Sequence, residues 1–148
     1  MCAYQRKTWV EKRDLNKKAV VKKIEKDFAD MQAGERMFIA TPQIVDAYIR
    51  QIPKGTETSL AQMRKDLAAE YGADKTCPVT SGIFLRIVAE AAYEEYQNGT
   101  ALHKITPFWR MLNEKNPAAK KLSFGTAFLK EQRQKEHLDG SKTSRPKS

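Results

Sequence analysis

A few side chains in this sequence have types and spacings that invite a chemical reading: two cysteines, two histidines, one adjacent pair of glutamates and one aromatic–arginine cluster. A metal site needs several convergent thiolate or imidazole ligands, and Cys2, Cys77, His103 and His137 show no such spacing. The seven glycines are scattered and form neither a P-loop nor a dinucleotide fingerprint. Neither a metal nor a cofactor is therefore expected. Cys77 would act as a nucleophile only if a base or a positive field held its thiolate, and Lys75 with the start of the following helix is a weak field. Its alternative is a buried small hydrophobe. Glu94-Glu95 are helix neighbours that diverge by about 100°, so a solvated surface explains them better than a catalytic pair. Phe108-Trp109-Arg110 joins two π faces to a guanidinium, a mix that suits stacking on a nucleic-acid base. The same rings would also serve as a core plug beneath a loop.

The net charge of +9 and pI of about 9.6 favour a polyanionic partner, whether a nucleic acid, an acidic protein or an anionic membrane surface. With 148 residues, 41% hydrophobic and 30% charged, the chain suits one core with flexible ends. Two cysteines make a disulfide framework unexpected. No apolar run approaches the roughly 18 residues that span a bilayer. Met1 to Val10 also lacks the apolar stretch of a secretory signal. A cytoplasmic protein with no membrane partner is the expectation.

The elements that must position these groups are mostly helical. The first forty residues read as a basic arm leading into an amphipathic helix, with Leu15, Val20, Val21, Ile24 and Phe28 at helical spacing between lysine pairs. Thr41-Pro42 starts a helix with Val45, Tyr48, Ile49 and Ile52 inward, and Ile52-Pro53-Lys54-Gly55 ends it. Ser59 caps the next helix, with Gln62 reaching back, and Gly72 closes it after Leu60, Met63, Leu67 and Tyr71. Thr80 or Ser81 caps a fourth helix running to about Asn98-Gly99. It buries Ile83, Phe84, Ile87, Val88 and Ala91, and leaves Arg86, Glu90, Tyr93 and Gln97 near the other face. Two helices in this order are the grammar of a helix-turn-helix. His103 to Thr106 reads as a short extended segment, a wing or connecting loop, and Phe124, Phe128 and Leu129 anchor a last helix to about Leu138.

From Ile52 to about Leu138 the order of these signals resembles the DNA-binding domain of the O6-alkylguanine-DNA alkyltransferase family, especially its alkyltransferase-like members that lack the reactive cysteine. Ile52-Pro53-Lys54-Gly55 looks like that family's opening Ile/Val-Pro-x-Gly. Arg86-Ile87-Val88-Ala89-Glu90-Ala91 looks like the recognition-helix pattern Arg-Ala-Val-Gly-x-Ala, and Pro107-Phe108-Trp109-Arg110 stands where the family has Pro-Cys-His-Arg. The resemblance implies that Arg86 enters the duplex, with Ser59, Glu90 and Arg110 also at the DNA. It implies a base pocket formed by Leu60, Pro107, Phe108 and Trp109. Phe108 stands at the alkyl-accepting cysteine and Leu60 where a tyrosine is usual, so neither alkyl transfer nor any other catalysis is implied.

These readings converge on a mainly α, winged-helix-like helix-turn-helix domain with a basic N-terminal helical arm and a short wing or loop. The expected boundaries are 1–40 for the arm, 41–139 for the DNA-binding domain and 140–148 for a disordered basic tail. The expected function is non-catalytic binding of double-stranded DNA, sensing altered bases in concert with other repair proteins. A protein- or RNA-interaction module and an enzyme using Cys77 are the alternatives.

Overall fold

The computed structural model describes residues 8–15 and 18–138. Cys2 and the expected basic tail lie outside the described residues. Helix α1 is a short one, Trp9–Arg13, closed by a reciprocal capping box in which Thr8 Oγ1 accepts from Glu11 N–H at 3.1 Å and Glu11 accepts from Thr8 N–H at 2.8 Å.

The amphipathic helix expected over Leu15 to Phe28 does not form. Val20–Lys23 is instead strand β1, antiparallel to β2 (Arg36–Ile39) with Val20 opposite Ile39 and Lys23 opposite Arg36. Val20, Val21 and Ile24 are β-branched and so suit a pleated surface, and β2 supplies the partner that local periodicity cannot reveal. Ile24 then turns inward onto Met31, Met37 and Cys77.

Strand β2 is central, because its other edge pairs in parallel with β3 (Lys75–Thr76). Between β2 and β3 run two helices, as this parallel pairing requires a crossover. Helix α2 (Pro42–Arg50) is capped by Thr41, whose Oγ1 accepts from Ile44 N–H at 3.2 Å, and it buries Val45 and Ile49. Helix α3 (Leu60–Glu70) is capped by Ser59 Oγ, which accepts from Gln62 N–H at 3.0 Å. Gln62 does not return the bond, since its amide donates to Asp66 at 2.8 Å. Gly72 follows at φ +70°, a left-handed conformation that suits glycine.

Helix α4 (Pro78–Gln97) starts a little earlier than expected, with Cys77 at the cap position and Ser81 Oγ donating back to Cys77 O at 2.6 Å. Its buried face is also rotated from the expected one. Leu85, Val88, Ala89 and Ala92 enter the core, while Ile83 is 52% exposed and Phe84 and Ile87 are only half-buried. The reason is coverage on two sides: α2 and α3 take one flank, and α1 packs along another.

Beyond Gly99 the chain makes 3-10 turns at Leu102–Lys104 and Phe108–Arg110, then helices α5 (Pro117–Lys120) and α6 (Ala127–Lys135). The segment expected to be extended at 103–106 is thus a turn with Ile105 and Thr106 buried behind it, and no strand follows α4 among the described residues. The main core gathers Phe38, Ile49, Met63, Leu67, Leu85, Val88, Phe108, Leu112 and Leu129. The expected boundary at 40 and 41 falls inside it, because Phe38 and Ala40 pack with residues from α2 to α6.

Candidate nucleic-acid interface

The second helix of the α3–α4 pair presents apolar side chains and an arginine along one side. Val79 and Ile83, one turn apart, are each 52% exposed, and Arg86 follows on the next turn of the same side. Arg86 is held locally. Its guanidinium lies 5.2 Å from the centre of the Trp9 ring, and its Nε is 3.7 Å from Glu90. The Nε makes no hydrogen bond.

Glu90 was expected on the outer face and is instead buried. Its carboxylate accepts from both the backbone N–H and the hydroxyl of Ser123, each at 2.6 Å, and these bonds offset its desolvation. Glu94 and Glu95, expected to be a solvated surface, fasten α1 to α4. Val10 N–H donates to Glu94 at 3.0 Å and Trp9 N–H at 3.4 Å. Arg13 forks onto Glu95 with both bonds at 3.1 Å and also donates to Asp14, holding the Asp14 carboxyl below the usual carboxylate range.

The residues expected around a base pocket are packed instead. Phe108 is fully buried and Trp109 nearly so, their rings meeting edge to face with centroids 5.3 Å apart. Pro107 is buried beside them, and Leu60 packs half-buried against the same core. Apolar rings fill this space because Phe124 and Phe128 close over them.

Arg110 is committed to the same scaffold. Its Nε and Nη2 donate to Glu136 at 2.9 and 3.0 Å, and its Nη1 donates to Ile52 O at 2.8 Å. Burial acts to raise the Glu136 carboxyl, but Arg110, Gly55 N–H and Trp109 Nε1 all donate to it and hold it below its ordinary value of 4.5. Thr58 N–H donates to Arg110 O at 2.9 Å, which brings this cluster to the start of α3, where exposed Ser59 serves as the cap. The structure therefore groups Arg86 with Glu90, and Arg110 with Trp109 on Glu136, as two separate clusters, and Ser59 adjoins the second only through its chain neighbour Thr58.

Cys77 is 4% exposed among Ile24, Met31 and Met37. Alkylation chemistry there would need the thiol to leave that packing. Among the described residues no group of three or more histidines, cysteines or carboxylates is placed to hold a metal ion, and no helix is long and apolar enough to cross a membrane. Reasoning from sequence missed Trp9, Glu94, Glu95 and Ser123. Their contacts cross more than thirty residues of chain, and no local pattern signals them. No family model, curated protein or solved structure matches the chain, so a functional reading stands on these residues alone.

Proposed function

We propose that this protein is a non-catalytic DNA-binding module of the alkyltransferase-like kind, with α3 and α4 as a winged-helix type of helix-turn-helix and the turns after α4 in place of a wing. The observation that carries this reading is the strip formed by exposed Val79 and Ile83 with half-buried Arg86 on the next turn of the second helix of the pair, two apolar side chains and one guanidinium, in a chain of net charge +9. Apolar side chains beside an arginine suit the floor and walls of a DNA groove, and lysines such as Lys22 and Lys23 suit its phosphates. Position 108 bears a phenyl ring rather than a thiol, so the duplex is bound without alkyl transfer. Lesion recognition through a pocket at 107–109 is not part of the proposal, since those side chains are core.

The test is fluorescence anisotropy with a labelled plain duplex and the same duplex containing one O6-methylguanine, titrated from about 50 to 200 mM salt. Binding that falls steeply with salt and is alike for both duplexes is expected. Absence of binding at the low-salt end overturns the proposal.

A further inference from the structure

Between α1, α4 and the segment at 123–124 lies an open cavity of about 500 Å³, within the range of roughly 300–1,000 Å³ typical of small-ligand sites. Trp9, Tyr93 and Phe124 give it aromatic walls, the last two stacked at 4.0 Å. Glu90, Glu94, Gln97 and Ser123 supply its polar atoms.

The carboxylates on this side of α4 differ in their partners. Glu90 has Arg86 as its ionic partner and Glu95 has Arg13. Glu94 accepts only the neutral backbone amides of Trp9 and Val10 and, among the described residues, forms no ion pair. Among the described residues Glu94 thus lines the cavity without an ionic partner, beside rings whose π faces attract cations. The chain itself shows the preference, since the Lys12 ammonium lies 4.2 Å and the Arg86 guanidinium 5.2 Å from the centre of the Trp9 ring. A bare metal ion is a poor match. Its two carboxylates, one of them already bonded to Ser123, fall short of the oxygen ligands that calcium or magnesium requires, and no group of three or more metal-binding side chains occurs among the described residues.

We propose that this cavity binds the guanidinium group of an arginine, its fork on Glu94 and its plane against the aromatic wall. Guanidinium fits better than a compact ammonium because it is planar, weakly hydrated and able to stack while it pairs. The site shares Trp9 and Glu90 with the contacts of Arg86, and it implies a ligand that is cationic, in a protein whose overall charge would otherwise repel one.

The test is calorimetric titration of the full-length chain with three probes. Free arginine and Nα-acetyl-arginine amide separate an amino-acid source from a peptide one, and Nα-acetyl-citrulline amide is the neutral isostere. Saturable binding of at least one arginine probe is expected, none by citrulline, and a loss of about fivefold or more in Glu94→Gln. Amide chemical shifts at Tyr93, Gln97 and Ser123 in the wild-type chain should move with the same saturation, which keeps the test independent of how well the variant folds. Equal binding of citrulline, undiminished affinity in a folded Glu94→Gln, shifts confined to other residues, or no saturation by either arginine probe overturns the proposal.

Discussion

The indole N–H of Trp109 donates to the Glu136 carboxylate at 2.8 Å, joining the turn after α4 to the residue that ends α6. Arg110 forks onto the same carboxylate from the next position, so two consecutive side chains are fixed by one buried acid. Removing that acid leaves a guanidinium and an indole N–H without their acceptor. Glu136→Ala should cost about 3 kcal/mol in urea-induced unfolding, a value typical of breaking a buried ion pair from one side.

The same acid sets an expectation for pH. Its carboxyl is lowered from 4.5 in the folded chain, so the unfolded chain binds the proton more readily. The stability it contributes is therefore fully present above about pH 4.5 and is lost as pH falls through the depressed folded value. Unfolding free energy measured across this acid range should drop in the wild type and drop less steeply in Glu136→Gln.

Phe108 distinguishes a plug from a pocket. It is fully buried, so Phe108→Ala should destabilise by about 3–5 kcal/mol, as large-to-small changes in aromatic cores do. A change within about 0.5 kcal/mol in thermal or chemical unfolding would mean that the ring lines open space.

Cys77 should resist modification in the native state. Its thiol is 4% exposed and its surroundings are apolar. Iodoacetamide followed by peptide mapping should leave Cys77 unlabelled until denaturant is added, and incubation with O6-methylguanine DNA should add no methyl group to the intact mass.

Arg86→Ala should weaken duplex binding by about 1–3 kcal/mol, whereas Lys22→Ala should chiefly reduce the salt slope by about one unit. Arg86 is also the ionic partner of Glu90, so unfolding of the same variant is measured alongside. Equal affinities for wild type and Arg86→Ala at matched salt would assign the guanidinium to the Trp9–Glu90 contact alone.

Much of the helical frame was legible because its signals are local. Thr41-Pro42, Ser59, Gly72 and Asn98-Gly99 each act on the backbone beside them, and each marks a helix end in the structure. Strand β1 was not legible, because Val20, Val21 and Ile24 fit a helical spacing and a strand equally, and β2 decides between them. The inward face of α4 escaped for a related reason. Periodicity finds one stripe, and a helix covered on two flanks buries Glu90 as well as Leu85. The candidate site was legible in part: Arg86 was singled out, but Trp9 and Glu94 beside it are set by tertiary packing.

The three-stranded sheet leaves the outer edge of β1 without a neighbouring strand among the described residues. An open edge invites another chain to pair, and charged residues there, lysine above all, discourage it. Lys22 and Lys23 lie on that strand and are exposed. Their positive charge thus guards against self-association whatever else it attracts. Replacing both with alanines would remove two phosphate-seeking groups and open a path to aggregation, so a loss of DNA binding in such a variant has to be read beside its light scattering.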